Sequence, residues 1–188
     1  MLFGITGGTS PIGIYATRVL SLRGFGVRIL TRRNTITDST NIQIVNGDLR
    51  DPETLDRFLD GIDIVIHNAG EKKNMEQMWS VNYLGTIEIL RAIDRSRYGI
   101  KHLCYISSAG VYGRQKINPI TETAPCFPIG IYEKSKRAAE LAFLKKDPTY
   151  SVSILRPTNV ISPLDLGILQ PIIGFSQRSL THFLIKGR

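Results

Sequence analysis

The chain has 188 residues, 42% of them apolar and 21% charged, and carries a formal net charge of +8. That length supports one domain with a sizeable core, or one domain and part of a second, and the composition is that of a globular protein. The positive charge alone would admit nucleic-acid binding, but the basic residues are dispersed, so no nucleic-acid partner is expected.

The predicted elements alternate. Leu2–Thr6 is a short buried strand. Ile12, Tyr15, Ala16, Val19 and Leu20 then recur with helical spacing, and Gly24 can end that helix. Val27–Leu30 is a second strand and Ile42–Val45 a third. In "DPET", Asp51 is a good N-cap and Pro52 a good first residue for a helix through Leu55, Phe58 and Leu59. Ile62–Ile66 is a fourth strand, and one long helix is expected from about Met75 to Arg95, burying Met78, Leu90 and Ile93. Leu103–Ile106 is a fifth strand, 113–130 a loop, Tyr132 to about Leu144 a helix, and Val152–Leu155 a sixth strand. Short apolar strands alternating with helices predict an α/β fold: a Rossmann-type, doubly wound parallel sheet covered on both faces.

No apolar run reaches the length of a membrane span, and the N-terminus lacks the basic start of a signal peptide. Cys104 and Cys126 are isolated thiols without metal-ligand spacing, which fits a reducing, cytoplasmic setting and no metal. His67, His102 and His182 are expected to be structural or surface residues.

Four stretches carry chemistry. "TGGTSPIG" (6–13) follows a strand and opens a helix, so its amides and the helix dipole would face a diphosphate; Ser10 stands where a middle glycine is usual. The alternative is a glycine turn without a ligand. "GVRILTRRN" ends the second strand on Thr31 and Arg32, where an NAD-selecting fold places a carboxylate. A guanidinium there suits the 2′-phosphate of NADP, unless the turn is merely a solvated basic one. "YEKSK" puts Tyr132 and Lys136 four apart on one helix face, where an ammonium would favour the phenolate and make proton transfer feasible. "YISSAGVYG" sets Ser108 at the C-terminal end of a strand, as an oxyanion donor or simply as a turn residue.

The ordered set "TGGTSPIG", "GDLRD", "VIHNAG", "VNYLGT", "SSAGVYG", "YEKSK" and "RPTNV" resembles the extended short-chain dehydrogenase/reductases, the NAD(P)-dependent epimerase/dehydratase family, over about residues 1–160. The resemblance implies that Gly7, Ser10, Ile12 and Gly13 line the pyrophosphate and that Asp48 and Leu49 flank the adenine. It places Ala69 and Gly70 along the cofactor and Pro157 near the nicotinamide, with Asn82 fixing the active-site backbone. Ser108, Tyr132 and Lys136 form the implied catalytic triad, Lys136 also holding the nicotinamide ribose. The family acts mainly on nucleotide sugars and often pairs as homodimers through its long helices.

Ala109 and Gly110 stand where the dehydratase branch carries carboxylates, which argues against dehydration. An epimerase or reductase using NADP, with NAD as the alternative, is therefore expected. A non-catalytic NADP-binding protein or an inactive fragment are the other readings. Residues 161–188 are expected to begin a smaller C-terminal substrate lobe, with one helix whose apolar residues, Leu169 to Leu184, await further structure. On this expectation the chain is C-terminally truncated, with an incomplete substrate pocket.

Overall fold

The structure, a computed structural model, describes residues 1–160 except 34, 36, 117–118 and 145–147. The helix expected in 161–188 lies outside the described residues. Six strands, β1 (Leu2–Thr6), β2 (Gly26–Thr31), β3 (Ile42–Asn46), β4 (Ile64–His67), β5 (His102–Ile106) and β6 (Ser151–Leu155), form one sheet in the order β3-β2-β1-β4-β5-β6. Every neighbouring pair is parallel. The order reverses between β1 and β4, and a crevice opens outside the carboxyl ends of strands at such a switch point. The register pairs Thr6 with Leu30 on one side and with His67 on the other, so three strand ends meet there.

Helix α1 (Pro11–Leu22) covers one face of the sheet. Helices α2 (Pro52–Leu59), α4 (Gly85–Arg95) and α5 (Ile131–Leu144) cover the other. On that second face Leu55, Phe58, Ile89, Ile93 and Phe143 pack against Val65, Leu103 and Tyr105. Each such side chain contributes about 1.5–3 kcal/mol by leaving water. Asp51 caps α2 as expected, its carboxylate accepting from the amides of Glu53 and Thr54 at 3.2 and 3.3 Å. Gly24 takes φ +79° just after α1.

Two helices depart from the expectation. In α1 Ala16 and Leu20 pack against the core as expected, but the most buried residues are Gly13 and Thr17, and Tyr15 is 71% exposed. The cause is the close approach of Gly13, where a Cβ would overlap the Gly7 carbonyl oxygen. That contact rotates small residues inward and turns Tyr15 out.

The long helix expected from Met75 to Arg95 is interrupted. It comprises α3 (Met75–Trp79), a π-helical turn over Ser80–Leu84, and α4. Such turns are rare and recur at functional sites. This one carries the buried Asn82.

Candidate active site

The turn after β1 is built by glycine and a cap. Gly7 has φ +67°, and a Cβ there would lie 2.8 Å from the Ala69 backbone nitrogen. Only glycine meets both demands. Ser10 caps α1, its hydroxyl oxygen accepting from the Gly13 amide at 3.2 Å, and Pro11 follows at the first helical position. The same oxygen accepts from Asn68 Nδ2 at 2.6 Å, and Asn68 Nδ2 also donates to the Gly7 carbonyl at 3.1 Å. With two bonds accepted, the Ser10 hydroxyl proton remains to be donated. Ser10 thus replaces the usual glycine without disturbing the turn.

A cleft of about 270 Å³ runs from this turn along the strand ends. Its lining includes Gly7, Ser10, Thr31, Arg32, Asp48, Leu49, Ala69 and Gly70, eight of the positions expected to hold a cofactor. Ile12, Gly13, Tyr132, Lys136 and Pro157 do not line it; Gly13 supports the turn from α1. Thr31 is buried at the end of β2, and its hydroxyl accepts from the Arg33 amide at 3.0 Å. Arg50 grips Asp48 through Nε and a terminal nitrogen at 2.8 and 2.7 Å. That fork holds the Asp48 carboxyl below its ordinary range, with the charge of Arg32 adding to it. Arg32 and Arg33 line this end with Asp48 and Glu71, and Arg50 behind Asp48 brings three cations against two carboxylates, both of which feel the charge of Arg32.

The proton-carrying groups gather beyond Gly70. A Cβ on Gly70 would lie 3.3 Å from Asn82 Oδ1 and 3.8 Å from Lys136 Nζ. Asn82 accepts from the Glu71 amide at 2.7 Å and donates to the Glu71 carbonyl and to Ser135 Oγ, each at 2.9 Å. Lys136 is buried, donates to the Ile106 carbonyl at 2.6 Å and sits 4.4 Å from the centre of the Tyr105 ring. Burial pushes the Lys136 ammonium down to about 7, against a smaller opposing effect of the Glu140 charge.

The Tyr132 phenol is shifted upward, first by burial and then by the Glu133 charge, while a hydrogen bond with Ser108 opposes both. This corrects the expected preference for phenolate. Lys136 shares the helix face, but its nitrogen is committed to Ile106 and Tyr105. Ser108 Oγ also accepts from the Gly110 amide at 3.1 Å, and Pro157 accepts from the Ala109 amide at 2.9 Å. Gly110 leaves room for the Glu133 side chain: a Cβ would lie 2.9 Å from Glu133 Cγ.

Sequence reasoning missed two contributors, Asn68 and Glu140, while His67 has the structural place expected of it. Asn68, inside the quoted "VIHNAG", braces the turn that it faces across the sheet. His67 is fully buried between two threonines. Glu140, also fully buried, is forked by Arg156 at 2.9 and 2.8 Å and bonded by Arg137 at 2.8 Å. The arginine after β6 was a signal, being a charge at the end of an apolar strand. His102 accepts or donates at 2.6 Å with Ser151 beside the sheet edge, a structural place as expected.

Comparison with known proteins agrees with this geometry. The family model for the NAD dependent epimerase/dehydratase family matches residues 4–182. The chain is 33% identical to the N-acetyl-alpha-D-glucosaminyl-diphospho-ditrans,octacis-undecaprenol 4-epimerase of Escherichia coli, over 86% of this chain and 52% of that protein. Among solved structures it is similar to UDP-glucose 4-epimerase from Bifidobacterium longum in complex with NAD+ and UDP. That match has TM-score 0.74 at 25% identity, covering 83% of this chain and 52% of the other. A short-chain dehydrogenase/reductase superfamily protein from Agrobacterium tumefaciens with bound NAD matches at TM-score 0.74 and 26% identity, covering 83% and 48%. The chain spans about half the length of the curated relatives it matches. With the parallel sheet, the glycine turn and the Tyr132–Lys136 helix in place, the chain belongs to the NAD-dependent epimerase/dehydratase family of enzymes.

Proposed function

We propose that this chain forms the cofactor-binding and catalytic half of an epimerase or reductase that acts on a nucleotide sugar. The observation that carries the reading is that one helix, α5, bears both Tyr132, hydrogen-bonded with Ser108, and buried Lys136, which lies with Asn82 beside Gly70. The nucleotide-sugar substrate is supported by the UDP bound in a solved relative. Residues 161–188 are proposed to open the substrate lobe. A homodimer is proposed through the helices that expose Met75, Trp79, Leu84, Ile131 and Leu144. The free thiols of Cys104 and Cys126 support a cytoplasmic protein.

The lining of the cleft supports a site for the diphosphate and adenine end of a dinucleotide. Gly7 and Ser10 would hold the diphosphate, Ser10 offering its remaining hydroxyl proton. Asp48 and Leu49 would flank the adenine, and Ala69, Gly70 and Pro157 the nicotinamide end. When bound, the cofactor supplies a two-electron acceptor and donor for a sugar carbinol. Tyr132 takes the proton from that hydroxyl and returns it to the carbonyl oxygen. Ser108 donates to the same oxygen as charge develops there. Lys136 holds the ribose, and Asn82 fixes the Glu71 backbone against α5.

NADP is the proposed cofactor, because Thr31 carries no charge and cations outnumber carboxylates at the adenine end of the cleft. Arg32→Ala should weaken NADPH binding about ten- to a hundredfold, the worth of a charge-assisted contact, and NADH binding much less. Fluorescence titration checks this; equal affinities of the wild type for the two cofactors would rule it out. NADPH oxidation with a panel of nucleotide sugars and small carbonyl compounds tests the reaction class.

Ser10 offers a second check. Ser10→Gly should change NADPH affinity only a few-fold, since glycine costs a cap only a few tenths of a kcal/mol and Asn68 keeps its bond to Gly7. Ser10→Leu should abolish binding by filling the diphosphate approach. Calorimetry showing normal binding by Ser10→Leu would remove this turn from the site.

A further inference from the structure

We infer that His67 is a positioning residue which, as its Nε2–H tautomer, ties the cofactor-facing turn to the catalytic helix; this rests on reading the cleft as the NAD(P) site. The proton order follows from counting donors at both ends.

On one side, Thr6 Oγ1 accepts from the amides of Asn68 and Ala69 at 3.1 and 3.0 Å. Both amides are donors only, so the single Thr6 proton is directed to its third partner, His67 Nδ1, 2.7 Å away. On the other side, Thr86 Oγ1 donates to the Asn82 carbonyl at 2.7 Å. Its one proton is thereby spent, so it accepts from His67 Nε2, 2.9 Å away. The two ends demand the same tautomer independently. His67 is fully buried, and burial together with the Lys136 charge pushes its pKa down to about 3. The ring therefore stays neutral.

The line continues at both ends. Ala69 lines the cleft. The Asn82 amide donates to Ser135 Oγ at 2.9 Å, and Ser135 donates to the Tyr132 carbonyl at 2.7 Å. One ordered set of hydrogen bonds, buried in its middle and half-buried at its ends, thus runs from the wall of the cofactor cleft, through β1, β4 and the π-helical turn, to the backbone of the proposed base. A neutral ring with one donor and one acceptor on opposite sides is what this span requires. Leucine fills similar space and satisfies neither neighbour. Asparagine keeps an acceptor near the Nδ1 position and so retains the Thr6 bond.

Nitrogen-15 NMR of the histidine-labelled full chain, with His67 assigned by its loss in His67→Asn, reads the tautomer directly. The expected spectrum has a protonated Nε2 and an unprotonated Nδ1, unchanged across about pH 5–8. A protonated Nδ1, or a ring that titrates in that range, would overturn the assignment. NADPH titration supplies the second readout, with thermal stability recorded for each variant. His67→Leu should weaken binding about tenfold or more by leaving Thr6 and Thr86 without their partner. His67→Asn should stay within about threefold of wild type. If both variants lose thermal stability yet bind NADPH as the wild type does, His67 is packing alone and the inference is wrong. Failure of the wild type to bind either cofactor would instead sink the cofactor reading and the coupling with it, a result that the tautomer spectrum tells apart from a wrong proton order.

Discussion

Tyr132→Phe should lower turnover about a hundred- to ten-thousandfold, the usual worth of a positioned acid or base. NADPH affinity should change no more than a few-fold. The substitution removes a hydroxyl and leaves the half-buried ring. Burial and the Glu133 charge raise the Tyr132 pKa above that of a free phenol, so at neutral pH the group is protonated and ready to donate to a carbonyl oxygen. In the opposite direction it must first ionise, so the rate of alcohol oxidation should climb with pH through the alkaline range.

Lys136→Ala is expected to damage both affinity and turnover, because its ammonium lies beside Gly70 and on the face of Tyr105. Steady-state kinetics and titration on the same preparations separate the two effects. Wild-type turnover by Tyr132→Phe would eliminate it as the base. A protein that binds cofactor but oxidises and reduces nothing in the substrate panel would favour the non-catalytic reading.

The largest effect on stability is expected from Glu140→Ala. The carboxylate is fully buried and is bonded by two arginines. Arg156 also donates to the Tyr112 hydroxyl at 2.7 Å and lies 4.8 Å from the centre of its ring. Removing Glu140 leaves two partly buried guanidinium groups without a counter-charge, which costs up to about 3–5 kcal/mol, the figure for a fully buried pair. That is a large share of the roughly 5–15 kcal/mol that holds a domain folded.

The effect is pH-dependent. Burial pushes the Glu140 pKa up, but hydrogen bonds from Arg156, Ser107 and Arg137 and the Arg156 charge together outweigh it, and the net shift is downward. A carboxyl depressed in the folded state stabilises above its unfolded pKa, and that stability is lost as pH falls through the folded value. The gap between wild type and Glu140→Ala should therefore be widest at neutral pH and close on acidification. Urea unfolding at several pH values measures it. A difference under about 1 kcal/mol at pH 7 would show that the fork contributes little.

Local chemistry determined a good deal of this protein. The strand and helix alternation, the caps at Ser10 and Asp51 and the order of the short motifs are all properties of neighbouring residues, and they led to the sheet, the cleft and the family. The cleft positions were legible for the same reason, since a phosphate turn and a strand end are local objects. Tertiary structure decided what depends on residues far apart. The apolar period of α1 pointed to Tyr15 as buried, but the close contact of Gly13 with Gly7 set the helix rotation. The π-helical turn is invisible to a periodicity count, because what accompanies it are bonds from Asn82 to Glu71 and Ser135. Asn68 and His67 looked like ordinary strand-end residues, yet their partners Gly7, Ser10 and Thr6 lie on another strand and its turn. The Tyr132 pKa was misjudged from spacing alone. Four residues along a helix place Lys136 on the same face, but only the packed structure shows its charge turned to the Ile106 carbonyl and the phenol held by burial.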